Sequence, residues 1–211
     1  MRRNRRFKDV LFALASAAKF EIVLTRIQLQ KLIYLGDVFS AVWREVSRPA
    51  DFFPYERGPW DRQIQNAVDA LAFRGFVRVE ARFLRLNQVR SSYSLSALGC
   101  EIVENLRDES VLCEEIQLYD EIASEVARRG WEEIVQIVYS EPTYLAALES
   151  CSGSRLYTNR PEINQTMQLA SRFKANWSES GHTLTPKIFV QIMFLVFDEI
   201  MASKSFLVEV E

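Results

Sequence analysis

The sequence predicts a mainly α-helical protein with a small β-hairpin module near residues 25–107, extended by a C-terminal helical bundle. Three observations lead there. Apolar residues recur at helical spacing through most of the 211-residue chain, and alternating β-type residues appear only around residues 76–95. Ile64, Ala67, Val68 and Leu71 form an i, i+3, i+4, i+7 stripe that ends at Gly75, where a left-handed residue closes a helix. Beyond it, Phe76–Val79 and Tyr93–Leu95 read as two strands, and Ser96 caps a further helix running to Leu106. Helix, loop, helix, hairpin, helix is the order of a winged helix-turn-helix with a small hairpin wing.

The elements follow in order. Met1–Arg6 is a basic tip. Phe7, Val10, Leu11, Leu14 and Ala18 continue at helical spacing, so residues 1–24 read as a tip and amphipathic helix rather than a signal segment. Thr25 with Gln28 fits a capping box for a helix toward Arg44. Residues 48–60 read as an aromatic loop carrying Phe52, Phe53, Tyr55, Arg57 and Trp60. Those side chains either plug the gap between two helices or offer a protein partner a surface of hot-spot type. Asp61 caps the helix over 61–74, Phe83–Leu86 reads as extended, Asn87–Ser91 as a turn, and Gly99 as a close approach of the last helix. Residues 108–211 read as an acidic helical region, with helices near 109–129, 131–139, 142–150, 162–177 and 185–202 and a loop over 151–160.

Charge divides the chain. Residues 1–107 carry 18 Lys+Arg against 11 Asp+Glu, and residues 108–211 carry 8 against 17, for a net charge of −2. The hairpin is basic: Arg78, Arg82, Arg85 and Arg90 face only Glu80, and such arginines suit phosphate. On the preceding helix Arg62, Gln63 and Asn66 are types that read base edges of double-stranded DNA. The same face could be merely solvated, and Asp61 and Asp69 would repel phosphate.

Other chemistries find little support. Cys100, Cys113 and Cys151 have no pairing or zinc spacing, and His182 is the sole histidine. Together these point to a reducing, cytoplasmic setting with no metal and no cofactor. Ser178 and Ser180 beside His182 do not make a nucleophile array. Glu114-Glu115 and Glu132-Glu133 read as solvated faces, so no enzyme is expected. Ile188–Phe197 is about half a membrane span. The apolar helix 185–202 is either the centre of the C-terminal bundle or a homodimer interface.

Several segments together resemble the Panacea domain: K-L-I-Y-L-G-D at Lys31–Asp37, F-P-Y-E-R-G-P-W at Phe53–Trp60, Leu71 with Gly75-Phe76-Val77, and Tyr93-Ser94-Leu95 with Gly99. Val138–Tyr144 is similar to a downstream segment of such proteins. The resemblance covers about residues 27–100, and 135–150 more weakly. Asp61 stands where the pattern has a small hydroxyl residue, and about 50 C-terminal residues have no counterpart. The resemblance implies a bacterial or phage antitoxin-like module that binds and neutralises a partner protein such as a toxin, with DNA autoregulation open to it. A winged-helix transcriptional regulator without a toxin partner is the alternative.

Overall fold

The computed structural model describes residues 2–44, 52–55, 57–83, 89–149, 166, 168, 175, 177 and 183–208. Those residues are mainly helical, with a three-stranded antiparallel sheet and a two-stranded ribbon. The chain folds as two compact units, Met1–Gly36 with Asp61–Arg128, and Asp37–Trp60 with Arg129–Glu211.

The first unit opens with α1 (Arg2–Ala18), β1 (Leu24–Thr25) and the start of α2 (Arg26–Arg44). Val10, Leu11 and Leu14 are buried on α1, but Ala18 is exposed and Ala17 takes its place. The capping box forms as expected: the Thr25 N–H donates to Gln28 Oε1 at 2.9 Å, and the Gln28 N–H to Thr25 Oγ1 at 3.5 Å. Next come α3 (Arg62–Phe73), β4 (Val77–Phe83), β5 (Val89–Leu95), α4 (Ala97–Arg107) and α5 (Ser110–Arg129, which belongs here through Arg128). Strand order is β1-β5-β4, with Leu24 opposite Tyr93 and Val77 opposite Leu95. Val89 already pairs with Phe83, so the end of the expected turn at 87–91 is strand; residues 84–88 lie outside the described set.

Two glycines shape the turn into the sheet. Gly75 has φ 78°, which lets its N–H reach the Ala72 carbonyl while the Phe76 N–H reaches that of Leu71. A Cβ on Gly99 would stand 2.2 Å from the Phe76 carbonyl oxygen, so only glycine lets α4 start there. Ser96 caps α4, accepting from the Gly99 N–H at 3.0 Å.

Ion pairs tie α1 to its neighbours. Arg6 donates to Asp61 Oδ2 and to Asp9 Oδ2, at 2.7 and 2.9 Å, with all three side chains buried. Gln30 grips the Asp61 backbone twice, donating to its carbonyl at 2.9 Å and accepting from its N–H at 3.0 Å. Asp120 on α5 accepts from Ser16, Lys19 and Arg107. Burial opposes its ionisation, but those donors outweigh it and hold the carboxyl below its usual range. Glu115, expected on a solvated face, is instead fully buried and receives Lys8 at 2.6 Å; its neighbour Glu114 is exposed, because consecutive helical residues point apart.

In the second unit the aromatic stretch is a ribbon, not a loop: β2 (Phe53–Tyr55) pairs with β3 (Gly58–Trp60). Beside these stand α6 (Trp131–Ser140), α7 (Pro142–Glu149) and α8 (Pro186–Val208). Phe39 stacks on Phe197 at 5.9 Å and meets Phe189 and Phe194 edge-on. The expected apolar helix thus runs six residues past Ala202. It is not buried all round: Phe189, Val190, Met193, Phe194 and Phe197 are, whereas Leu195 is 59% exposed. Of the helix expected near 162–177, the four described residues are helical. The expected loop 151–160, Cys151, Ser178, Ser180 and His182 lie outside the described residues. No helix among the described residues is long and apolar enough to cross a membrane.

Two outcomes are expected. Asp61→Ala removes the α3 cap and one of the two carboxylates that neutralise buried Arg6, so denaturant titration should show a loss of about 2–4 kcal/mol; a loss below about 1 kcal/mol contradicts the network. Lys31 is buried on α2, and that burial lowers its ammonium from 10.5 to about 8. Between those values the unfolded chain binds the proton more strongly, so stability rises with pH from about 8 to 10.5. Relative to Lys31→Met, the native chain should gain on the order of 2–3 kcal/mol across that window. Parallel pH profiles for the two proteins would refute the shift.

Candidate nucleic-acid interface

α3 buries Ile64, Ala67, Val68 and Leu71, the stripe read from the sequence. Opposite it, at i, i+4, i+7 and i+11, run Arg62, Asn66, Asp69 and Phe73, all exposed. Gln63 and Arg74 are exposed on the flank, and Arg74 lies over the Phe7 ring at 5.6 Å. Phe73 is 93% exposed, which the sequence reading did not single out.

Period two divides the hairpin. Val77, Tyr93 and Leu95 turn to the core, while Arg78, Glu80 and Arg82 share the other face with Ser94, Ser92 and Arg90. Arg82 and Arg90 are direct cross-strand partners. Like charges so placed repel, and among the described residues neither has a carboxylate partner. Arg62 and Arg78 are likewise exposed without an ion pair among those residues. Arg85 lies outside the described residues.

The carboxylates behave differently from their sequence reading. Asp61 is 2% exposed; its Oδ1 accepts from the Gln63 N–H at 2.8 Å and Arg6 neutralises it. It therefore presents no charge to an approaching phosphate, and buried Arg6 is no member of a reaching basic tip. Asp69 is exposed, and its Oδ1 accepts from Gln65 Nε2 at 2.8 Å. Gln65 Oε1 accepts in turn from the Tyr93 hydroxyl at 3.2 Å. Burial pushes the Tyr93 hydroxyl up from its ordinary value, so it remains a donor at neutral pH.

The second unit holds the aromatic candidates. Phe52 is fully buried, a plug rather than a contact surface. Phe53 stands opposite Trp60, so Phe53, Tyr55 and Trp60 share one ribbon face. Tyr55 is 59% exposed, Phe53 is exposed and Trp60 half-buried, with the Tyr55 and Trp60 rings 6.4 Å apart. The Tyr144 hydroxyl of α7 donates to the Tyr55 carbonyl at 3.4 Å. Arg57 is exposed in the turn between the strands. Among the described residues no cluster of His, Cys, Asp or Glu could hold a metal.

The chain matches no protein-family model, and no curated protein matches it.

Substitution separates surface from plug. Arg82→Glu turns a repelling cross-strand pair into an attracting one and should raise stability by about 0.2–1 kcal/mol in thermal melts; unfolding would mean the hairpin face is buried. Tyr55→Ala should stay within about 0.5 kcal/mol of the native protein, whereas Phe52→Ala should lose about 3–5 kcal/mol. Equal losses would contradict this assignment.

Proposed function

We propose that the chain is a cytoplasmic macromolecule-binding protein of the Panacea-type antitoxin class its motifs resemble, acting without catalysis. In this reading the first unit is a winged helix-turn-helix that binds duplex DNA, and the aromatic ribbon of the second receives a protein partner. The run of helix, strand, helix, helix, strand, strand, with β1 beside β5, supports the winged-helix assignment.

One observation carries the DNA reading. Arg82 and Arg90 face each other without a counter-ion among the described residues, and a phosphate between them would relieve the repulsion. Arg78 on the same hairpin face adds a third exposed cation, and Arg62 on α3 is exposed as well. The partner reading rests on Phe53 and Tyr55, exposed beside Trp60, an aromatic surface of hot-spot kind. A homodimer through α8, where Leu195 is exposed, would carry a two-fold axis that matches palindromic half-sites.

Fluorescence anisotropy against duplex DNA over rising salt tests the reading. Each neutralised phosphate adds about 0.9 to the slope of log affinity on log salt, so Arg82→Glu with Arg90→Glu should flatten it by about two. Absence of binding at low salt would overturn the DNA reading and leave the protein-binding ribbon.

A further inference from the structure

Asp69 poses a problem for any duplex docked on α3. It lies on the outermost line of the helix between Asn66 and Phe73, where an approaching strand must meet it. A bare carboxylate there weakens attraction to every phosphate nearby. Yet this one is held in place. Buried Tyr93 on β5 donates to Gln65, and Gln65 spends its amide N–H on Asp69 Oδ1. The order of donors fixes the amide, since only its NH₂ end can face a carboxylate. Oδ2 is the oxygen left without a hydrogen bond among the described residues.

We propose that Asp69 is a base-reading residue, with Oδ2 accepting from the exocyclic amino group of a cytosine in the major groove and Gln65 and Tyr93 acting as positioning residues. The inference rests on the DNA reading above. A carboxylate only accepts, which rejects guanine and thymine, whose major-groove edges offer O6 and N7 or O4 as acceptors. Adenine couples its amino group to an adjacent N7 acceptor, which repels the carboxylate. Cytosine offers N4–H₂ without an acceptor of its own beside it, and a single available oxygen suits a single amino group. The repulsion that weakens non-specific binding also sharpens the contrast between the right site and the wrong ones.

The test is selection of sites by the full chain from a randomised duplex pool, run with the native protein, Asp69→Asn and Tyr93→Phe. The native protein should yield a consensus with a cytosine that Asp69→Asn loses at that position alone, with preference there falling about tenfold or more. Tyr93→Phe should weaken the same position and leave the others unchanged. The proposal is overturned, with DNA binding intact, by an unaltered Asp69→Asn consensus or by equal relaxation at every position, which would reduce Asp69 to simple repulsion. Salt-dependent binding with no consensus also overturns it alone. Failure of the native protein to retain any duplex overturns this proposal together with the DNA reading.

Discussion

Arg6 and Asp61 stand 55 positions apart in sequence and 2.7 Å apart in the fold, and the orientation of α3 in the first unit depends on that pair. A buried carboxylate at a helix N-terminus meets several demands at once. It caps the Gln63 N–H, complements the positive end of the α3 dipole, and neutralises a guanidinium also shared with Asp9. Gln30 fixes the backbone of the same residue from α2. Three helices therefore converge on one residue. Two unlike charges removed from water hold α3 in a single setting, because any slip leaves one of them unpaired.

What the sequence makes legible is what is local. The Thr25–Gln28 box, the Ser96 cap, the 64–71 stripe and the Gly75 terminus each depend on residues within about two helical turns, and each forms. Gly99 is legible because a glycine on the first turn of a capped helix costs helix stability, and a close backbone neighbour is what offsets that cost. The pairing of Asp61 is not legible. Position 61 announces a cap, but nothing near it announces Arg6, so its charge looks available to repel phosphate. Glu115 misleads for the same reason, its partner Lys8 lying on a distant helix. The ribbon stays hidden because two prolines and two three-residue strands carry almost no periodic signal.

The candidate interface divides along the same line. Hairpin arginines can be counted in the sequence, but the register that sets Arg82 against Arg90 follows from the turn, and only the folded ladder shows it. The relay from Tyr93 through Gln65 to Asp69 joins a strand to the helix before it, a link that helical periodicity alone does not reveal. Exposure sorts the aromatics in turn: composition treats Phe52 and Phe53 alike, while the fold buries Phe52 just before β2 and leaves Phe53, the first residue of that strand, exposed.

Because the second unit is discontinuous in the chain, it imposes an order on biosynthesis. Phe39 emerges from the ribosome early, yet the phenylalanines that enclose it, Phe189, Phe194 and Phe197, follow some 150 residues later. At roughly 5–20 residues per second, the nascent segment waits on the order of ten to thirty seconds for its partners. The first unit, complete once Arg128 has been made, can fold during that interval. Phe39 on α2 meanwhile lacks those rings, the stage at which a holding chaperone has most to protect.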